Sequence, residues 1–179
     1  MKRFVSVFIF IIGFSVAAVS QSAGLDSTFH RYFPGINVYD SVPGILLSLL
    51  KDTSRFEMKD TSGSTSYFLY RSYDLAEANE AGLFLDKGDT TQPYPSNPYF
   101  FVSVDFGSKE ECEKYFNQVR ADFSKYLVMK KVKPPKRPML GNSVDYDFYD
   151  NTNKRVMSVT MDWPFDMKSY YSVFISVYK

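Results

Sequence analysis

Between Tyr99 and Lys179 the spacing of apolar residues switches from period two to a period near 3.6 and back again, which constrains the fold more than any other feature. Tyr99 to Phe106 (YFFVSVDF) reads as a strand. Ser108-Lys-Glu-Glu111 then forms a capping box. After it Cys112, Tyr115, Phe116, Val119, Phe123, Tyr126 and Leu127 recur at steps of three and four, which predicts a long amphipathic helix over about 108–129. Lys133 to Pro138, with three prolines in six residues, ends it. Three further strands follow, Ser143–Tyr149, Lys154–Asp162 and Tyr170–Tyr178, the first two joined by the turn-forming quartet Asp150–Asn153. In the last strand Tyr171, Val173, Ile175 and Val177 alternate with Ser172 and Ser176, giving one apolar face and one mixed face. One long helix among such strands predicts an α+β domain, an antiparallel sheet with the helix packed across a face.

The first half reads less clearly. Residues 21–40 look irregular, with a turn at Pro34-Gly35. Ser41 to Lys51 predicts a short N-terminal helix with Pro43 tolerated in its first turn. Arg55–Lys59 and Ser64–Tyr73 form a hairpin around Asp60–Gly63, with Tyr67, Leu69 and Arg71 on one face and Phe68, Tyr70 and Ser72 on the other. Aromatics occupy both faces, so alternation alone does not name the buried one. Asp74–Glu77 resembles a capping box and predicts a short helix through Ala81, followed by a small strand at Leu83–Leu85 and a turn at Asp86–Gly88. Asp89–Pro98 is a proline-rich loop. Each half thus runs helix, hairpin, later strand, which suggests a duplicated α-β-β-β unit although the side chains do not repeat. Residues 41–179 are expected to form a single domain.

The ends of the chain indicate its address. Lys2 and Arg3 precede an almost wholly apolar run, Phe4 to Val19, and Ala18-Val19-Ser20 supplies the small residues of a cleavage site. This is the layout of a secretory signal peptide covering residues 1–20, and the run falls short of the roughly 20 apolar residues of a spanning helix. Cleavage before Gln21 removes two of 21 bases and none of 20 acids, so formal charge goes from +1 to −1. Such a domain has no bulk attraction for nucleic acid or an anionic membrane. The chain has one cysteine, so no disulfide framework, and no glycosylation sequon, which favours the bacterial envelope or extracellular space, secreted or periplasmic.

Few residues suggest catalysis. His30 is the only histidine, and no nucleophile elbow accompanies it. Cys112 falls on the apolar stripe of the helix, which favours a buried thiol over a reactive one. Glu110, Glu111 and Glu113 suit a helix start. Asp145 and Asp147 share a strand face, opposite Val144, Tyr146 and Phe148, with Asp150, Asp162 and Asp166 nearby in sequence; paired carboxylates serve glycosidases and calcium sites, but no calcium-loop spacing is present. Lys130, Lys131, Lys133, Lys136 and Arg137 read as an exposed, charged linker. No cofactor or metal site is expected.

Aromatic residues make up 18% of the chain, and Tyr94, Tyr99, Tyr146, Tyr149, Trp163, Tyr170 and Tyr171 fall in expected loops or at strand ends. Tyr and Trp give large amphipathic contacts with few torsions to freeze. The expected contact residues are Trp163, Phe165, Tyr94, Tyr99, Tyr149 and Asp162. Together these features point to an exported, non-enzymatic domain that binds a protein partner through aromatic-rich loops. A glycan- or small-ligand-binding module is the alternative, and a carboxylate-based hydrolase the remaining one.

Overall fold

The computed structural model describes residues 22–62, 65–73, 75, 78–88, 98–132, 142–163 and 171–179. Among these residues three helices are present, α1 over 22–32, α2 at Val42–Lys51 and α3 at Lys109–Phe123. The strands are β1 (Phe56–Ser62), β2 (Thr65–Tyr70), β3 (Ala78–Asp86), β4 (Tyr99–Phe106), β5 (Val128–Val132), β6 (Asn142–Tyr149), β7 (Arg155–Trp163) and β8 (Tyr171–Tyr178). They form one eight-stranded sheet in the order β1-β2-β3-β4-β8-β7-β6-β5, every neighbouring pair antiparallel. The fold is therefore α+β, as the switching periodicity requires. Two four-stranded meanders meet at the central β4–β8 pair.

Alternation along the central strands decides which face is buried. Phe100, Val102, Val104 and Phe106 of β4 point to the same side as Val173, Ile175 and Val177 of β8, with Val102 directly opposite Ile175. The helices pack on that side. Tyr115 of α3 meets Phe106 with ring centroids 5.3 Å apart, Phe116 meets Tyr146 at 6.0 Å and Phe123 meets Phe148 at 6.2 Å. From the N-terminal segment, Phe29 packs on Phe123 at 5.1 Å and Phe33 on Phe100 at 5.5 Å. Burying each such ring contributes about 1.5–3 kcal/mol relative to exposure.

Three local expectations give way to tertiary pairing. Residues 22–32 are helical rather than irregular, because Leu25, Phe29, Tyr32 and Phe33 lie at helical spacing and land on the core. The helix ends where Pro34 and Gly35 turn the chain: Gly35 sits at φ +78° and Ile36 N donates to Phe33 O at 3.0 Å. The long helix α3 stops at Phe123, not near 129. Leu127 is buried by the turn that follows, and residues 128–132 become β5 because the outer edge of β6 offers backbone partners that a helix would leave unmet. Finally, residues 78–81, expected to be helical, open β3, where β4 supplies their backbone partners.

Tyr146 also moves. It lies in mid-strand with Arg120 stacked over its ring at 3.7 Å, rather than in a loop or at a strand end. Residues 1–20, with the expected cleavage site, lie outside the described residues. None of the described helices is long and apolar enough to cross a membrane.

Candidate recognition surface on the open face of the sheet

Among the described residues no helix covers the other side of the sheet, and a row of aromatic rings crosses it. Tyr67 of β2 is registered with Phe84 of β3, and Phe84 with Phe101 of β4. Their rings stack at centroid separations of 4.2 and 4.6 Å with interplanar angles of 14° and 13°. Those separations match the strand spacing of about 4.8 Å, so the rings stand on edge, faces against each other and edges outward. Tyr99 lies beside Phe101 in the same strand, nearly parallel, at 6.2 Å. Phe174 of β8 closes the row, turned 71° to Phe101 at 5.8 Å. All five are half-buried. Each stacked pair contributes about 0.5–1.5 kcal/mol beyond its area.

Beyond this ladder the face drops to short polar side chains: Ser176, Ser158, Thr160, Ser172 and Ser143, with Asp145, Asp147 and Asp162. At one end Ser158 Oγ and Tyr178 Oη are 2.9 Å apart, Arg155 lies 3.9 Å above the Tyr178 ring and its Nη1 donates to Asp147 at 3.4 Å. Tyr149 Oη also donates to Asp147 at 3.4 Å, and Lys130 Nζ sits 4.1 Å over the Tyr149 ring. At the other end Asp105 accepts from Ser103 at 3.2 Å and from Ser172 at 2.7 Å.

The expected contact residues distribute over both sides of the sheet. Tyr99 and Tyr149 stand at the same end of the open face, linked through Tyr178 and Arg155. Asp162 is on the open face at the opposite end. Trp163, one residue on, packs against the helix-covered core with Lys109 Nζ 5.4 Å from its ring centroid. Phe165, Tyr94 and Asp166 lie outside the described residues. Asp145 and Asp147 do share the open face, with Phe148 buried on the other; Asp147 is held by Arg155 and Tyr149. Asp150 is a turn residue, held below its usual carboxylate range first by the Thr152 hydroxyl and then by the Lys154 amide. Lys130 and Lys131 belong to edge strand β5, not to a linker; the rest of the basic run lies outside the described residues. His30 is exposed on α1. Cys112 is fully buried, and burial pushes its thiol up to about 12, so it is not a nucleophile at neutral pH.

The residues missed by sequence reasoning are Tyr67, which the alternation places on a hairpin face without a role, and Phe84, Phe101 and Phe174. For Phe101 and Phe174 the signal was the alternation itself: in YFFVSVDF and YSVFISVY one Phe sits out of phase with the apolar face. A second feature is a recess of about 170 Å³ on the helix side, lined by Leu75, Phe106, Glu111, Lys114, Tyr115 and Gln118. Among the described residues no cluster of His, Cys, Asp and Glu has the arrangement to hold a metal ion.

No protein-family model matches the chain, and no curated protein is significantly similar to it.

Proposed function

We propose that this chain is an exported, non-enzymatic binding domain of the bacterial envelope or extracellular space, and that it recognises a protein partner through the open face of its sheet. The aromatic ladder carries this reading. Four large rings, Tyr67, Phe84, Phe101 and Phe174, stand on a face that none of the described helices covers, where a domain otherwise keeps polar side chains. Because the rings of the stacked pairs face each other, their edges are what a partner meets. Sugar rings stack on exposed aromatic faces, so this surface suits interdigitating side chains of a protein better than a glycan. The leader at residues 1–20 supports export.

The duplication suggested by the sequence fits the same reading in a longer form. The proposed units are α2 with β1–β4 and α3 with β5–β8, whose strand orders run outward from the central β4–β8 pair in the same sequence. Joining two half-sheets in this way makes one continuous face of eight strands.

The test is retention of a partner by the protein beginning at Gln21, compared with a Phe84→Ser/Phe101→Ser variant. A protein from native envelope extract should be held by the wild type and lost by the variant. Equal retention by both, or binding to a glycan array with no protein retained, contradicts the reading.

A further inference from the structure

The two edges of the sheet are built differently. β1 is interrupted by a register shift between Met58 and Asp60, and Glu57 on it is paired with Lys59 at 2.5 Å and with Arg71 at 3.6 Å. Bulges and charges are what usually guard an open edge against a further strand. β5 is guarded by neither. Val128–Val132 runs against β6 without a shift, and among the described residues nothing pairs with its outer side. Alternate N–H and C=O groups of β5 therefore point outward without a strand partner. Lys130 does not shield them. Its side chain leans inward over β6, with Nζ 4.1 Å from the centroid of the Tyr149 ring and donating to Asn153 Oδ1 at 2.8 Å. Val128, at the start of the strand, is 56% exposed.

We infer that β5 pairs with β5 of a second copy of this chain, antiparallel, about a two-fold axis at Lys130. The occupant follows from the strand's own sequence, Val-Met-Lys-Lys-Val. Antiparallel pairing centred on Lys130 sets Val128 opposite Val132 twice and Met129 opposite Lys131 twice, using all five residues. Val128 and Val132 lie on the open face and Met129 and Lys131 on the helix side, so each facing pair shares a face. Valine pairs across strands are favourable. An axis at Lys131 opposes that exposed lysine to itself, and an axis at Met129 pairs only three residues of the strand. At the centre Lys130 meets its own copy, but each ammonium is drawn away to Asn153. α3 lies over β4, β8 and β7, back from this edge. An axis normal to the sheet keeps both open faces on one side, and both ladders, on β2, β3, β4 and β8, stay uncovered. The inference does not rest on the reading of the open face, but it makes the dimer bivalent for whatever that face holds.

Five residues a side make a small contact beside the roughly 1,200–2,000 Å² of a stable interface, so the expected Kd is on the order of 100 µM. Sedimentation equilibrium of the chain from Gln21, over about 20–1,000 µM, should show a monomer–dimer equilibrium. Four lysines near the axis repel one another, so raising NaCl from about 0.05 to 0.5 M should tighten association about threefold, where an ion-paired interface would loosen. Val128→Lys should weaken it about fivefold, while Met58→Lys, the same charge change at an exposed position of β1, leaves it unchanged. Cysteine crosslinking reads the register. In Lys130→Cys the two thiols face each other with Cα atoms about 4.5–5.5 Å apart, within disulfide reach. In Val128→Cys they are four residues apart along the strand, about 13 Å. Mild oxidation should give a covalent dimer of the first variant and not of the second, and the buried Cys112 takes no part. A monomer at every concentration, an equal loss in Met58→Lys, or crosslinking that does not distinguish the two cysteine variants overturns the inference.

Discussion

The ring of Tyr67 lies against the backbone of Gly82, so close that a Cβ on Gly82 would sit 2.5 Å from the ring edge. Glycine at this position lets the tyrosine reach along β3, stack on Phe84 and donate to Glu80. Replacing Gly82 by Ala removes that space and improves strand propensity at the same time. Gly82→Ala should therefore leave stability within about 1 kcal/mol of wild type while displacing Tyr67. Binding by the open face should fall more than stability does. Urea denaturation and the affinity of the retained partner, measured on the same preparation, check this; unchanged affinity would show that Tyr67 is not a contact.

Asp122 joins α1 to α3. Its carboxylate is buried and accepts from Tyr32 Oη at 2.8 Å, Arg31 Nη1 at 2.9 Å, Gln118 Nε2 at 3.0 Å and Lys125 Nζ at 2.7 Å. Burial opposes the charge, but the hydrogen bonds from Lys125, Gln118 and Tyr32 outweigh it and hold the pKa at about 2. A folded pKa below the unfolded value near 3.9 stabilises the fold above that value, and the contribution is lost as pH falls toward 2. The wild type should lose about 2 kcal/mol between pH 5 and pH 2 through this group alone. Asp122→Asn should be less stable at pH 7 and show a correspondingly shallower acid limb. Parallel acid limbs for the two proteins would show that Asp122 is not the group responsible.

How far the sequence foretold this structure depended on where the decisive contacts lie. Most of the second half was legible because its elements satisfy their own patterns: the stripe from Cys112 to Phe123 and the alternation in β8 need no knowledge of partners, whereas β5 (Val128–Val132) is extended only through its pairing with β6. The first half was not. β3 opens with Ala78, Asn79 and Glu80, a poor strand by composition, and this part is extended because β4 pairs with it, β2 joining only from Gly82 onward. The candidate surface was hidden for a related reason. Tyr67, Phe84 and Phe101 are far apart in sequence, and only the register sets their rings in one row. Attention to loop aromatics led to Trp163, which the register places with the core.

Trp163 provides the contrast. It packs on the helix-covered side beneath Lys109 and is only partly buried. Trp163→Ala should cost about 2 kcal/mol, less than the 3–5 expected for a fully buried tryptophan, through lost packing and the lost cation–π contact. Partner affinity of the folded fraction should stay at the wild-type value. Differential scanning calorimetry and titration with the retained partner separate the two effects. Unaltered melting temperature with lost binding would place the contact at the end of β7 instead.

The most direct measurement is a carbene footprint of the chain from Gln21, alone and with the retained partner bound, read residue by residue by mass spectrometry. The account predicts reduced labelling at Tyr67, Phe84, Phe101 and Phe174, with the exposed side chains of α2 and α3 labelled as before. Protection confined to the helices, with the four rings labelled equally in both states, would contradict it.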